Sequence, residues 1–443
     1  MPIMKSDLNN LDELRKMLQR GMGRAILFLM EQDLACYRDL ILDNCLHNYA
    51  YDGSIEDPRA QYLYPLIKAT GELDSYRSRI LGALFDEKDS WDADHLCDFA
   101  ILFARDGSHE AREALYEKVR RNDTDHALTG SEQLIQLEGT SGLLLVLDII
   151  GKDPGLSSWR DGFYIRDTEE TSSVEEVRMA LQQAASSNPN IAAALSRIED
   201  YSTDWTAEEI ARRREERRER LSRSPVAIGE TTTWEEVKAS PHFGSITRRW
   251  ANVASQEELE KAARDLDPQD EPERLCSHIS MFDRYPFPLD PDPLIRLVDH
   301  PDDKVAISAL SALELVEHPV VRELFQQIST GHRWSDRAIG LLRSNYKDGD
   351  HEVICQLLER AGDEDALHLM AIHVREVYRD NPVPEGLQPL VLAYEKTPCS
   401  ACRYWCVTGI RDIGSVPDWM IRECLHDAYG DTRELVASLA SPS

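Results

Sequence analysis

A chain of 443 residues exceeds the roughly 100–200 of one globular domain, so it is either two or three domains or one extended repeat array. Apolar residues at 42% and charged residues at 29% exclude wholesale disorder. The 50 Lys and Arg against 80 Asp and Glu give a formal charge of −30, a field that repels phosphate backbones and anionic headgroups, so neither nucleic acid nor a membrane surface is expected as a partner.

The first residues, MPIMKSDLNNLDELRKML, turn polar and amphipathic at once, without the apolar core of a signal peptide. No run of about 18 uncharged apolar residues occurs, and even GLLLVLDIIG is interrupted by Asp148. A cytoplasmic location is expected, with the nine cysteines mostly reduced.

Residues 1–185 read as a domain of helical hairpins, for example DPRAQYLYPLIKATGELDSYRSRILGALFD followed by DADHLCDFAILFARDGSHEAREALYEKV. In each, an acid or Asp-Pro start, an apolar stripe and a turn containing Gly71 or Gly107 precede another amphipathic run. WDADHLCD groups Asp92, Asp94, His95 and Asp98, and carboxylates before and within a first turn are expected for capping and the helix dipole rather than for a metal.

Residues 186–244 lose apolar density, gain the loop signals SSNPN, LSRSP and GETTT, and read as a linker. Within it, EEIARRREERRERLSR sets Glu208 with Arg212, Glu209 with Arg213, Glu216 with Arg220 and Glu219 with Arg223 at i, i+4, the order that favours a solvated helix. Seven arginines against five glutamates leave only +2, which favours a solvated helical spacer over the alternative of a partner-binding or nucleic-acid arm.

Residues 245–443 repeat themselves. Ala306, Ala309, Leu310 and Leu313 share their internal spacing with Met370, His373, Val374 and Val377 and with Cys406, Gly409, Ile410 and Ile413. Ala338, Leu341 and Leu342 match too, although Asn345 breaks the last place, and the anchors lie 32, 32 and 36 residues apart. Turns such as VEHP, KDGD and GSVPD lead to second apolar stripes at Leu324 and Ile328, Leu357 and Leu358, Leu390 and Val391, and Cys424 and Leu425. Helix pairs at such a period bury their faces by stacking on neighbours, so the expected fold class is all-α, an α-solenoid of antiparallel helix pairs, either continuous or split into two helical bodies at the charged linker.

DDKVAISALSALELVEHPVVRELFQQI and SACRYWCVTGIRDIGSVPDWMIRECL resemble HEAT or PBS-lyase-type HEAT-like repeats, a likeness that covers Pro301 to Asp431. The resemblance implies an architecture and leaves activity open. Among HEAT-like enzymes, deoxyhypusine hydroxylase uses four His-Glu dipeptides on iron. Here there are two, His109-Glu110 and His351-Glu352, each at the start of a second helix. Phycobilin-lyase-like chemistry is a related alternative, and a HEAT-like DNA glycosylase is a third, opposed by the charge.

TPCSACRYWCVTGIRDIG raises the question of a metal or redox centre at Cys399, Cys402 and Cys406. Sulfurs sharing a tetrahedral zinc at about 2.3 Å sit within roughly 3.8 Å of each other. Helix positions seven apart are separated by about 10.5 Å along the axis. With Thr397 as N-cap and Pro398 as N1, all three cysteines fall on one helix and read as small core hydrophobes, and Trp405 as a wedge between repeats. A site completed by Cys424 or His426 is the alternative. Glu423 and His426 form the one E-x-x-H, without the second pair that a di-iron bundle needs. Neither a phosphate-binding G-x-x-x-x-G-K-[ST] loop nor H-E-x-x-H nor G-x-S-x-G occurs.

The expected function is therefore a non-enzymatic scaffold or adaptor without metal or cofactor. Its second helices are expected to line a concave surface presenting Arg322, Gln326, Glu359, Glu423 and His426 to a protein or peptide partner. The acidity favours a basic or neutral one.

Overall fold

The computed structural model describes residues 10–124, 128–156, 161–198, 201–202, 205–222, 229 and 231–440. Among these, 26 α-helices are joined by short 3-10 turns, there is no strand, and no helix is long and apolar enough to cross a membrane. The chain is all-α. It divides into two units, Met1–Ser222 with Arg422–Ala437, and Arg223–Ile421 with Ser438–Ser443.

The first unit is built around the helix Ser90–Arg105. Asp89 caps it by accepting from the amides of Trp91 and Asp92. Its buried residues, Ala93, Leu96, Cys97, Phe99, Ala100, Ile101 and Phe103, pack against the helices Arg59–Ala69, Leu73–Asp86, His109–Arg121 and Ser131–Glu138. A helix apolar on nearly every side is a core helix.

The expected linker is in large part folded structure. Asn188 caps the helix Pro189–Leu195, with Pro189 at N1, and buries Ile191, Ala194 and Leu195 against the helix Thr140–Lys152. A Cβ at Gly151 would come 1.9 Å from the Asn190 carbonyl oxygen, so the approach needs glycine. Asp148, met in the sequence as a charge interrupting an apolar run, accepts from the amides of Asn188 and Asn190 at 2.8 and 2.9 Å. The Arg/Glu-rich segment is the helix Ala207–Ser222, tied down by buried Ile210 and an Arg214–Glu169 ion pair. Its ladder differs from the expected one: Arg212 pairs forward with Glu216, Glu209 accepts from the Thr206 amide, and Arg213 lies over the Trp205 ring. The pairs expected at Arg220 and Arg223 fall outside the described residues.

The expected C-terminal domain is also shorter than 245–443, because residues 422–437 belong to the first unit. Arg24 Nε and Glu423 Oε1 meet at 2.8 Å, both side chains buried, and the Ala428 amide donates to the Gly21 carbonyl. Gly21 takes φ +73°, and a Cβ on Gly23 would stand 1.9 Å from the Glu423 carbonyl oxygen. Only glycine allows the backbones this close.

In the second unit, first helices pack on first helices: Phe243–Ala251, Pro272–Ile279, Asp303–Leu313, the 3-10 turn Ala338–Leu342, Glu364–Asp380 and Ser400–Ile413 contact one another in that order. Second helices Asp292–Leu297 and Pro319–Ile328 pair, as do Asp350–Arg360 and Leu387–Lys396. Asn345, the polar break in the repeat, is a staple. Its amide nitrogen donates to the Val316 and Leu341 carbonyls at 2.8 and 3.1 Å and its oxygen accepts from the His318 amide. Asn381 does the same for Arg343 and Val377. Trp234, in the expected linker, is buried in an aromatic group with Phe243, Trp250 and His278.

Candidate functional site

The first unit holds a cleft of about 570 Å³ along one face of the helix Ser90–Arg105. Trp91, Asp94, Asp98, Leu102 and Arg105, spaced 3, 4, 4 and 3, line it on this side, and Gln61, Leu128 to Gln133 and Gln136 line it as well. Trp91 is exposed as a wall. Its indole donates to the Asn48 carbonyl, and its ring lies so close to Gly53 that a Cβ there would meet it at 2.1 Å. At the rim, Leu128 carries φ +64° and Gly130 φ +83°. A branched residue in the left-handed region is strained, and such strain concentrates at functional sites. The Gly130 amide donates to Asp94 Oδ1 at 3.1 Å, which fixes that carboxylate.

The acids of WDADHLCD thus have separate tasks. Asp92 holds the turn at His47 and Asn48, buried His95 bonds the Asn44 carbonyl, and Asp94 and Asp98 face the cleft. Capping falls to Asp89. Burial pushes the Asp98 carboxyl up to about 7, with repulsion from Asp94 and Glu132 adding to it and the Gln133 amide, 2.7 Å away, opposing it. An unfolded aspartate titrates near 3.9, so between about pH 4 and pH 7 the folded chain holds a proton that the unfolded chain has lost, and stability falls as pH rises through that window. Asp98→Asn keeps the oxygen facing Gln133 without the charge. Its melting temperature should gain on the parent's progressively from pH 4.5 to 7 and then hold a constant lead. Parallel pH profiles for the two proteins would show instead that Asp98 is solvated.

In the second unit, Cys399, Cys402 and Cys406 are all buried. The helix starts later than expected: it runs Ser400–Ile413, Cys399 is its N-cap, and Thr397 caps the C-terminus of Leu387–Lys396. The Cys399 sulfur accepts from the Cys402 amide at 3.5 Å, which turns it back over the first helical turn. Cys402 Sγ lies 3.4 Å from His368 Nδ1 on the helix Glu364–Asp380, and donor atoms of His368, Cys399 and Cys402 all fall within 4.8 Å of each other. Cys406 and Cys424 are outside this group. Trp405 is not wedged between repeats. It is 41% exposed, with the Arg375 guanidinium stacked over it at 4.4 Å.

The residues expected on a concave binding surface are dispersed. Arg322 makes a two-pronged ion pair with Asp350, linking consecutive second helices, so it is structural. Glu423 is buried against Arg24 in the first unit and cannot face a partner. His426 is exposed but lies past the helix that ends at Cys424, so the E-x-x-H does not share a helical face. Gln326 and Glu359 are exposed. His109 and His351, the histidines of the two His-Glu pairs, belong to different units.

Two groups escaped the sequence reading. The cleft face had a signal, a line of polar and aromatic residues along an otherwise apolar helix. His368, 34 residues before Cys402, had none, since nothing in the periodic pattern singles it out.

No protein-family model matches the chain, and no curated protein matches it. Among solved structures it is similar to the crystal structure of an engineered protein from the Northeast Structural Genomics Consortium, at 12% identity over 97% of this chain and 99% of that one, with a TM-score of 0.20. A likeness that slight carries no argument about fold or function.

Proposed function

We propose that the chain is a non-enzymatic scaffold, a HEAT-like α-solenoid in its second unit, that holds a protein partner through a basic segment. The stacking of first helices on first helices at a period near 33 residues supports the solenoid reading. The observation that carries the binding reading is the cleft, where an exposed tryptophan stands beside Asp94, Asp98 and Glu132, with Arg105 as the opposing charge. An indole face attracts a cation and nearby carboxylates pair with it, so a lysine or arginine side chain fits this chemistry. The overall charge of −30 steers such a segment inward. A reducing, cytoplasmic setting belongs to the same proposal, since none of the nine cysteines is joined in a disulfide.

Fluorescence anisotropy with labelled Lys/Arg-rich and Glu/Asp-rich peptides tests this. Basic peptides should bind with a salt-dependent affinity, and Trp91→Ala should weaken them by about tenfold or more, the scale of an aromatic anchor. Equal binding of acidic peptides, or an unchanged Trp91→Ala variant, would overturn it. Asp98 beside Asp94 is also the pairing that a general acid needs, so product analysis accompanies the titration, and turnover of the peptide would replace the scaffold reading.

A further inference from the structure

Two thiols and an imidazole meet where one first helix passes the start of the next. We infer that His368, Cys399 and Cys402 form a Zn²⁺ site with three protein ligands and one coordination position left for water or an outside donor.

The geometry is close to that of a loaded site. With Zn–S near 2.3 Å and Zn–N near 2.0–2.1 Å, a tetrahedron sets sulfur and nitrogen about 3.6 Å apart and two sulfurs about 3.8 Å apart. Cys402 Sγ and His368 Nδ1 stand at 3.4 Å, and the three donors lie within 4.8 Å of one another, so a small side-chain adjustment closes the set. Cys399 is extended at the N-cap, and Cys402 occupies the third helical position, which is why neighbouring turns bring both sulfurs together rather than spreading them along an axis. Two cysteines and a histidine are a soft donor set that selects zinc over magnesium or calcium.

Charge balance favours occupancy. Binding displaces one proton from each thiol to solvent, while neutral imidazole lends the lone pair of Nδ1, so two thiolates cancel the two charges of Zn²⁺ and the buried centre is neutral. Two protons leave per ion, and affinity rises with pH. Structural zinc sites close with four protein ligands, whereas three leave a position for exchange.

The full-length protein, stripped with chelator under reducing conditions, would be titrated with Zn²⁺ against a chromophoric chelator, and with Co²⁺ as a spectroscopic reporter. One equivalent should bind, with a thiolate-to-cobalt charge-transfer band. His368→Gln and Cys402→Ser should each weaken binding beyond the roughly 10–100-fold that loss of an outer hydrogen bond to a ligand costs, and Cys406→Ser should retain it. Proton release needs no variant: about two protons should leave per Zn²⁺ bound in weakly buffered solution. Substoichiometric binding, full affinity in His368→Gln, or no proton release on binding would each overturn the site and leave an S–H···N hydrogen bond in its place.

Discussion

Glu423→Ala should lower the unfolding free energy of the first unit by about 3–5 kcal/mol, the cost of leaving a buried charge without its partner. Arg24 and Glu423 meet at 2.8 Å with side chains only 9% and 5% exposed. Exposed pairs behave differently. Lys68 and Asp106, 48% and 41% exposed, should contribute little, because solvent screens the pair. The double replacement Arg24→Met with Glu423→Leu should recover most of the loss, since well-packed apolar residues often substitute for a buried pair without penalty. Urea unfolding, with hydrogen exchange read on peptides covering residues 14–29, measures this. A loss below about 1 kcal/mol would mean that water reaches the pair.

Trp234→Ala should cost the second unit about 3–5 kcal/mol, the range for emptying a large aromatic site. The indole is 1% exposed, with ring centres of His278, Trp250 and Phe243 at 4.8, 5.5 and 5.9 Å. Its Nε1 donates to Asp265 at 2.8 Å. Trp234→Phe should lose less, because a ring still fills most of the space and Lys238 still bonds Asp265. Thermal unfolding followed by circular dichroism distinguishes the outcomes. An alanine variant that melts with the parent would restore the linker reading of this segment, because a solvated tether has no core to lose.

The all-α class was legible because helical periodicity and sparse strand signals act over many residues at once. What escaped was decided by single contacts. Asn345 occupies a place where the pattern asks for an apolar side chain, and it satisfies carbonyls that only the folded turn brings near, as Asn381 does outside the pattern. Thr397 and Cys399 are both plausible caps in one dimension, and the choice between them changes the reading of the cysteines from a line along a helix to two sulfurs at its mouth. Arg322 and Glu423 looked like surface charges because polarity alone does not reveal a partner 28 or 399 residues away. The cleft was half visible: its acids were noticed in sequence, but not that Asp94 and Asp98 turn away from the capping role.

The return of residues 422–437 to the first unit has a consequence for synthesis. Chains fold as they emerge, N-terminal parts generally first. Here the ribosome has to release Glu423 and Ala428 before Arg24 and Gly21 can acquire their partners, whereas residues 223–421 are made earlier. Contacts at the beginning of the chain are thus completed only after its middle has been made. Until then, the groove around Gly21 and Gly23 waits with apolar surface and a buried arginine uncovered, and that interval is when chaperones would find this protein most in need of them.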